Sequence, residues 1–323
     1  MPPAPWKLWT ALGLVYLIWG STYLAIRYVV VDLPPLLTAS SRFVMASAIV
    51  TAFVLAKRGR APFHASPRAW LSGAGIGVLL LAGGNGGVTI AEARGLPSGL
   101  TALLIAVVPL YVVVLRVLLR DRPRRRTLAG VGIGFVGLAV LLLPGTRPVG
   151  VSVVAAVIVL GGSLVWSLGS VLATRIELPQ DPLVTTVAQM LGGAAGLAVA
   201  GVVRGESLPT SEVRASSLLA LVYLVVFGSV VAFTAYSWLL SAAPLSKVAT
   251  YAYVNPVVAV ALGALVVGEP ITAASVVGGL ITVVAVAVVV SSESTPGVGA
   301  PEAAVPLDQE PDDLQGRIRS SAT

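Results

Sequence analysis

The chain has 323 residues, of which 56% are hydrophobic and 11% are charged, and its mean hydropathy is +0.93. A soluble domain carries about 25% charged residues, so this composition excludes a soluble globular protein. The net charge of +7 lies in short segments between apolar runs and therefore predicts no nucleic-acid partner. There are no cysteines, which excludes disulfides, thiolate nucleophiles and cysteine metal sites, and we predict no cofactor.

Ten apolar runs are each long enough for a membrane-spanning helix, which needs about 20 residues. In chain order they cover residues 8–31, 36–56, 69–91, 97–119, 127–144, 151–173, 183–203, 217–240, 244–267 and 272–290. We therefore predict an all-α integral membrane protein with ten transmembrane helices in a lipid bilayer. Residues 291–323 are rich in proline, serine and acids, which predicts a disordered acidic tail.

Two short connections are rich in basic residues. Lys57, Arg58, Arg60 and Arg68 flank the connection after the second span, and five arginines crowd residues 120–126 after the fourth. Because basic loops stay in the cytoplasm, both termini are predicted to be cytoplasmic.

A gapless internal repeat relates the two halves of the chain. A shift of 147 residues aligns Trp19 with Trp166, Pro35 with Pro182, Thr38 with Thr185, Pro97 with Pro244, Pro109 with Pro256, Pro123 with Pro270 and Gly132 with Gly279. Four of the seven prolines in residues 19–132 meet a proline, whereas chance predicts fewer than one. We therefore predict two five-helix repeats, at residues 8–144 and 151–290.

Five crossings in each copy require the second repeat to enter the membrane from the opposite side. The second-copy loops that correspond to the basic connections carry no net positive charge, which agrees with an inversion. Inverted repeats are typical of secondary transporters, because two halves rocking about a midplane site expose it to each side in turn.

A polar stripe lies on one face of the first span and recurs in the sixth. Its members are Tyr16, Gly20, Tyr23 and Arg27, with the equivalents Ser163, Ser167, Ser170 and Thr174. Trp19 and Trp166 flank the stripes. Two compatible interpretations remain open: the stripes line a substrate path, or small residues let the helices pack closely.

Two charged residues lie inside or at the end of a span. Arg42 is about 9 Å into the second span, where a charge needs a partner, a water-filled cavity or snorkelling to the interface. Glu92 ends the third span on the same side of the membrane. An Arg42–Glu92 ion pair is therefore one hypothesis, and snorkelling of Arg42 is its alternative.

Prolines and amides add polar groups at mid-membrane. Pro109 and Pro256 are predicted to kink the fourth and ninth spans and free backbone carbonyls, as hinges, ligand contacts or static bends. Asn85 lies within the run GGNGG, whose glycines permit close backbone approach, and Asn255 shares a face with Tyr251. Amides are costly in lipid unless they are paired.

Several motifs extend through the two halves. They are WGSTYLAIR at 19–27, PP at 34–35, RF at 42–43, GGNGGVTIAE at 83–92, PSGLTALL at 97–104, Pro109-Leu110 and GEP at 268–270. Over about residues 8–290 the chain resembles the EamA-domain members of the drug/metabolite transporter superfamily, close to the bacterial YedA-like permeases. The resemblance implies ten helices in inverted repeats, a bacterial inner-membrane location, and usually export of amino acids, other metabolites or toxic compounds. It also implies a central cavity lined mainly by helices one, three, four, six, eight and nine.

One difference from the relatives bears on energy coupling. Small multidrug-resistance members exchange protons through a glutamate buried in the first helix, and the predicted first span, 8–31, has no acid. Proton coupling would need Glu92 or Glu269, and the alternative is facilitated diffusion.

Other classes of protein fit less well. A membrane enzyme would need Asp, Glu, His or Cys clustered near one interface, and the sequence has no such cluster, so no catalytic residue is predicted. A nucleotide-sugar carrier would need basic cavity residues, for which Arg42 and Lys247 are the candidates. A non-transporting receptor or scaffold stays open, as does a homodimer.

The expected function is therefore secondary transport of a small polar or amphipathic metabolite or drug by alternating access. The predicted substrate-pathway residues are Tyr16, Trp19, Tyr23, Arg42, Asn85, Glu92, Pro109, Ser163, Trp166, Ser167, Ser170, Tyr251, Asn255 and Pro256.

Overall fold

The computed structural model describes residues 4–120, 124–142, 152–207, 212–249 and 251–294. Within these ranges the regular structure is helical and contains no strand. In chain order the long helices are α1 (Pro5–Asp32), α2 (Pro35–Arg58), α3 (Pro67–Ala93), α4 (Ser98–Leu118), α5 (Arg125–Leu142), α6 (Val153–Ala173), α7 (Pro182–Val203), α8 (Ala215–Ala242), α9 (Tyr251–Val267) and α10 (Ala273–Ser294).

Seven of these helices, α1 to α4 and α6 to α8, are long and apolar enough to cross a membrane. Shorter apolar stretches occupy Val254–Val267 in α9 and Ala273–Ala285 in α10. The helix α10 continues to Ser294, so residues 291–294, which were predicted as the start of the disordered tail, are helical. The reason is packing, because Ser292 is buried and hydrogen-bonds to Thr127 of α5. The rest of that tail lies outside the described residues.

Prolines and capping side chains set where the helices begin. Pro5, Pro35, Pro67 and Pro182 each occupy the first position of a helix, where the missing N–H costs no hydrogen bond. The helix α7 is also capped by Asp181, which accepts a 2.8 Å hydrogen bond from the backbone of residue 183.

Contacts between helix ends show that the helices alternate in direction. We call the end at which α1 begins the near side and the end at which α1 terminates the far side. On the far side Asp32 pairs with Arg214, just before α8, at 2.9 Å. The hydrogen bonds that Arg214 donates to the Asp32 carboxylate raise the pKa of its guanidinium.

The near side is joined in the same way. Arg58 at the end of α2 pairs with Asp181 before α7 at 2.5 Å, and Ser66 before α3 donates to Glu177 after α6 at 3.0 Å. Each of these contacts links the first half of the chain to the second, so the two halves form one packed body.

Glycines bring helix backbones into direct contact. A methyl group on Gly77 of α3 would overlap the backbone of Gln189 in α7, and one on Gly192 would overlap the backbone of Ala74. In the GGNGG run a methyl group on Gly87 would lie 3.3 Å from the carbonyl oxygen of Ile158 in α6. The close backbone approach expected of these glycines is therefore present.

The helices α3 and α8 each contain a π-helical segment, Val78–Asn85 and Leu224–Phe233. The 147-residue shift carries 78–85 onto 225–232, which falls inside the second segment. Such segments are rare and concentrate at functional sites. Here both border the cavity described below.

The two predicted proline kinks differ from one another. A turn at residues 106–107 interrupts α4, and Pro109 is the second residue of the helix that resumes at Val108. In contrast, Pro256 lies inside the continuous helix α9, which a one-turn helix, Leu245–Val248, precedes. The sequence predicted equivalent kinks at the two prolines. Instead α4 is broken beside Pro109, whereas α9 continues through Pro256.

Candidate functional site

Four aromatic side chains from α1, α6, α8 and α9 form a layer near the middle of the bundle. Trp19 and Trp166 meet edge to face with ring centroids 5.5 Å apart. Tyr236 and Tyr251 complete the layer, at 4.9 and 5.3 Å from Trp19. Trp19 and Trp166 are equivalent under the 147-residue shift, and contact between equivalent residues is expected at a two-fold axis.

Hydrogen bonds hold this aromatic layer in place. Trp166 Nε1 donates to the Tyr236 hydroxyl at 3.1 Å, and that hydroxyl also bonds Ser170 Oγ at 2.7 Å. Trp19 Nε1 donates to the carbonyl of Gly228 at 3.3 Å, within the π segment of α8. The two indole groups and the Tyr236 phenol are thus paired, as buried aromatics require.

A cavity lies between the two halves on the far side of the aromatic layer, with about 640 Å³ of space free of protein atoms, including the part that is open to solvent. On α1 its lining begins at Trp19 and proceeds toward the far end of the helix. The lining residues are Trp19, Thr22, Tyr23, Ile26, Arg42, Phe43, Leu81, Gly84, Asn85, Val88, Ile105, Val108, Gly162, Ser163, Trp166, Gly228, Phe233 and Tyr251. They come from the six helices that the resemblance implies and also from α2.

Arg42 is the one charged residue among these lining residues. Its side chain is buried, with 4% of the residue exposed, about 10 Å from the start of α2. The guanidinium Nε donates to Ser229 Oγ at 2.7 Å, and the guanidinium carbon lies 4.8 Å from the ring of Phe43. Because it is buried at this depth, Arg42 does not snorkel to the interface.

The hypothesised Arg42–Glu92 ion pair is not formed in this structure. Glu92 is 1% exposed, and neither of its carboxyl oxygens has a hydrogen-bond partner among the described residues. Arg42 turns instead toward Ser229 of α8. Ser229 lies in the π segment of α8. Because such a segment has no signal in the sequence, this partner could not be predicted.

Glu269, the other candidate for proton coupling, has a structural role. It precedes α10 and accepts hydrogen bonds from the backbone of Ser98 (2.8 Å) and of Gly99 (3.0 Å) at the start of α4. Glu206, after α7, does the same for Leu36 at the start of α2, at 2.9 Å. Carboxylates at helix N-termini are stabilising because they satisfy free N–H groups and oppose the helix dipole.

Seven of the fourteen predicted pathway residues line the cavity: Trp19, Tyr23, Arg42, Asn85, Ser163, Trp166 and Tyr251. The other seven lie outside its lining: Tyr16, Glu92, Pro109, Ser167, Ser170, Asn255 and Pro256. Both interpretations of the polar stripes therefore apply in part. Tyr23 and Ser163 line the cavity, whereas a methyl group on Gly20 would touch Val258 of α9 at 2.6 Å.

The remaining stripe and amide residues satisfy backbone groups. Ser167 donates to the carbonyl of residue 163 at 2.7 Å and to that of residue 108 at 3.3 Å. With its amide nitrogen turned toward them, Asn255 donates to the carbonyls of Tyr16 (3.0 Å) and Tyr251 (3.2 Å). These side chains position helices around the cavity instead of lining it.

Sequence reasoning missed Tyr236, Phe233 and Gly228, all on α8. The 147-residue shift carries Thr89 onto Tyr236, so the repeat gave no aromatic signal there. Apart from Gly228 and Ser229 the run 224–233 is also apolar, and it has no periodicity that distinguishes one face from another.

A helical bundle with apolar spans and a central cavity between two related halves is the architecture of a membrane transporter. The sequence profile of the EamA-like transporter family matches the chain twice, at residues 7–143 and 153–291. The chain belongs to the EamA-like transporter family, within the drug/metabolite transporter superfamily.

Relatives and a solved structure agree with this assignment. The chain is 39% identical over 268 residues to the uncharacterized inner membrane transporter YedA of Escherichia coli K12, covering 82% of this chain and 84% of that one. It is 26% identical over 291 residues to a WAT1-related chloroplastic protein of Arabidopsis thaliana, covering 86% and 68%. A crystal structure matches the fold with a TM-score of 0.64 at 21% identity, covering 88% of this chain and 96% of that one.

Proposed function

We propose that this protein is a secondary transporter that exports a small polar or amphipathic metabolite or drug across the bacterial inner membrane. The cavity between the halves carries the proposal, because both halves line it and the aromatic layer borders it on the near side. Alternating access would open that layer and close the far side. No enzymatic step is proposed.

The proposed architecture is two inverted five-helix repeats, at residues 8–144 and 151–290, with ten membrane spans. Four observations support it: the gapless 147-residue offset, the two family matches, the matched π segments of α3 and α8, and the contact between Trp19 and Trp166. In this arrangement the near side is cytoplasmic, because Arg58, Arg60 and Arg68 lie there. Export is the direction that the family resemblance implies.

The function is tested by expressing the protein in a bacterial strain deleted for its own homologue. Resistance to a panel of amino acids, organic acids and toxic cations is compared with that of the empty vector. Wild-type protein should raise the tolerated concentration of at least one compound. Ser163→Phe, which fills the cavity, should abolish the gain.

Gly161→Phe is the matched control, because Gly161 is an exposed position on the same helix and a Cβ there meets no atom within 4 Å. It should retain the resistance, with both variants present in the membrane at wild-type level. If no compound is tolerated better, or if the two variants behave alike, the cavity is not a solute path. A non-transporting receptor or scaffold would then be the better account.

A further inference from the structure

We propose that Arg42 binds a carboxylate group of the substrate, so that the transported solutes are small organic acids with an apolar or aromatic body. This inference rests on the proposed function, in that it takes the cavity as the substrate site. It assigns the residue that recognises the substrate's charge, which the names of the relatives do not specify.

Arg42 has no counter-ion among the described residues. It is 4% exposed, and no carboxylate of the described residues lies within 4.0 Å of its guanidinium. A buried, unpaired charge is costly, and a protein retains one where a partner arrives with the ligand. Because guanidinium has a very high intrinsic pKa, it does not relieve this cost by losing its proton.

The terminal nitrogens of the Arg42 guanidinium are free to donate hydrogen bonds to a ligand. Only Nε makes a hydrogen bond, to Ser229, which leaves the two terminal nitrogens without one in the described part of the chain. The absence of a side chain at Gly228 makes room for them, since a Cβ there would lie 2.9 Å from Nη2. Two adjacent terminal N–H groups that border a cavity fit the two oxygens of a carboxylate.

The rest of the cavity wall suits an anionic solute with an apolar body. Its lining contains no aspartate or glutamate, so nothing in it would balance a cationic substrate, while a carboxylate would neutralise Arg42. Trp19, Trp166 and Phe233 offer apolar rings on which the body of the solute can pack.

Two further polar groups lie in the wall of the same cavity. Asn85 Oδ1 and Ser163 Oγ are buried atoms without a hydrogen-bond partner in the described residues. After a small rotation they could accept from an ammonium group, as in an amino acid. A carboxylate can therefore come from two sources, a simple organic acid or an amino acid, and the experiment separates them.

The test is binding to the purified full-length protein in lipid nanodiscs. Four probes of similar shape are compared by thermal shift and tryptophan fluorescence: 3-phenylpropionate, L-phenylalanine, L-phenylalaninamide and 2-phenylethylamine. The first two carry a carboxylate and should bind, whereas the last two should bind at least about tenfold more weakly, the minimum effect of losing a hydrogen-bonded charge pair. Tighter binding of L-phenylalanine than of 3-phenylpropionate would identify the amino-acid source, and the reverse order the simple acid.

Arg42→Gln and Arg42→Lys complete the test. Arg42→Gln should lose carboxylate binding while keeping or raising the unfolding temperature, because it removes a buried charge. Arg42→Lys should recover part of the binding, since it restores the charge without the bidentate fork. Equal binding of acids and amines, no binding of either carboxylate, or undiminished binding by Arg42→Gln would overturn the proposal.

Failure of this inference is distinguishable from failure of the transporter function. Carboxylate binding without flux of any solute in vesicles would contradict transport and leave the Arg42 site intact. Flux of other solutes without carboxylate binding would contradict only the Arg42 site.

Discussion

Two glutamates at the far side of the bundle have opposite surroundings. Glu269 accepts backbone hydrogen bonds at the start of α4, whereas the carboxyl oxygens of Glu92 are buried without any partner in the described residues. A buried carboxyl group without partners is more stable when it is uncharged. The two residues should therefore respond differently to the neutral, nearly isosteric replacement by glutamine.

We expect Glu92→Gln to leave the unfolding temperature close to that of the wild type. Glu269→Gln should lower it, because the loss of a charged cap costs about 1–3 kcal/mol. Thermal unfolding of the purified proteins in detergent compares the two directly. A Glu92→Gln protein that is destabilised as strongly as Glu269→Gln would indicate a charged, paired Glu92 and revive the ion pair with Arg42.

For single residues, the sequence predicted which side chains matter better than it predicted which side chains they contact. Because a charge in an apolar span is costly, the sequence singled out Arg42 as a residue that needs a polar partner. Its hydrogen-bond partner is Ser229, 187 residues away, at a place where the chain is otherwise apolar. Pairing between distant segments depends on how the helices rotate and cross, which residue spacing within one helix does not determine.

Among the helices, the crossing of α3 and α7 gives a sharp test of close packing. Gly77→Ala would force a methyl group into the backbone of Gln189, so we expect a loss of at least about 1–3 kcal/mol. Gly75→Ala is the matched control, since a side chain there meets nothing within 4 Å and alanine is the better helix former. Thermal unfolding should show Gly77→Ala well below wild type and Gly75→Ala at or above it, and equal behaviour would refute the crossing.

The helices themselves were predictable and their irregularities were not. Apolar runs of about 20 residues place most helices within a few residues of their observed bounds, because bilayer thickness fixes that length. The ninth run, predicted over 244–267, is the exception, since a one-turn helix stands at its start and α9 begins only at Tyr251. The π segments have no such signal, since a change of hydrogen-bond register leaves composition unaltered. Pro109 and Pro256 are equivalent in sequence, yet only α4 is broken beside its proline.

For the whole molecule, the proposed orientation is open to a direct test, because the chain has no cysteine of its own. Arg60→Cys on the near side and Glu212→Cys on the far side introduce single thiols at exposed positions. A membrane-impermeant maleimide should label Glu212→Cys in intact cells and Arg60→Cys only after the cells are opened, since basic loops remain cytoplasmic. The opposite labelling would invert the topology.

The central claim is that solute passes through the cavity between the two halves. Ser163→Cys places the only thiol of the chain in the cavity wall, and Gly161→Cys places one on the outer face of the same helix. Proteoliposomes containing each variant are assayed for uptake of labelled amino acids, organic acids and cationic dyes before and after N-ethylmaleimide. We predict protein-dependent flux of at least one solute that the reagent blocks in Ser163→Cys and spares in Gly161→Cys. Absence of flux for every solute, or equal sensitivity of the two variants, would contradict it.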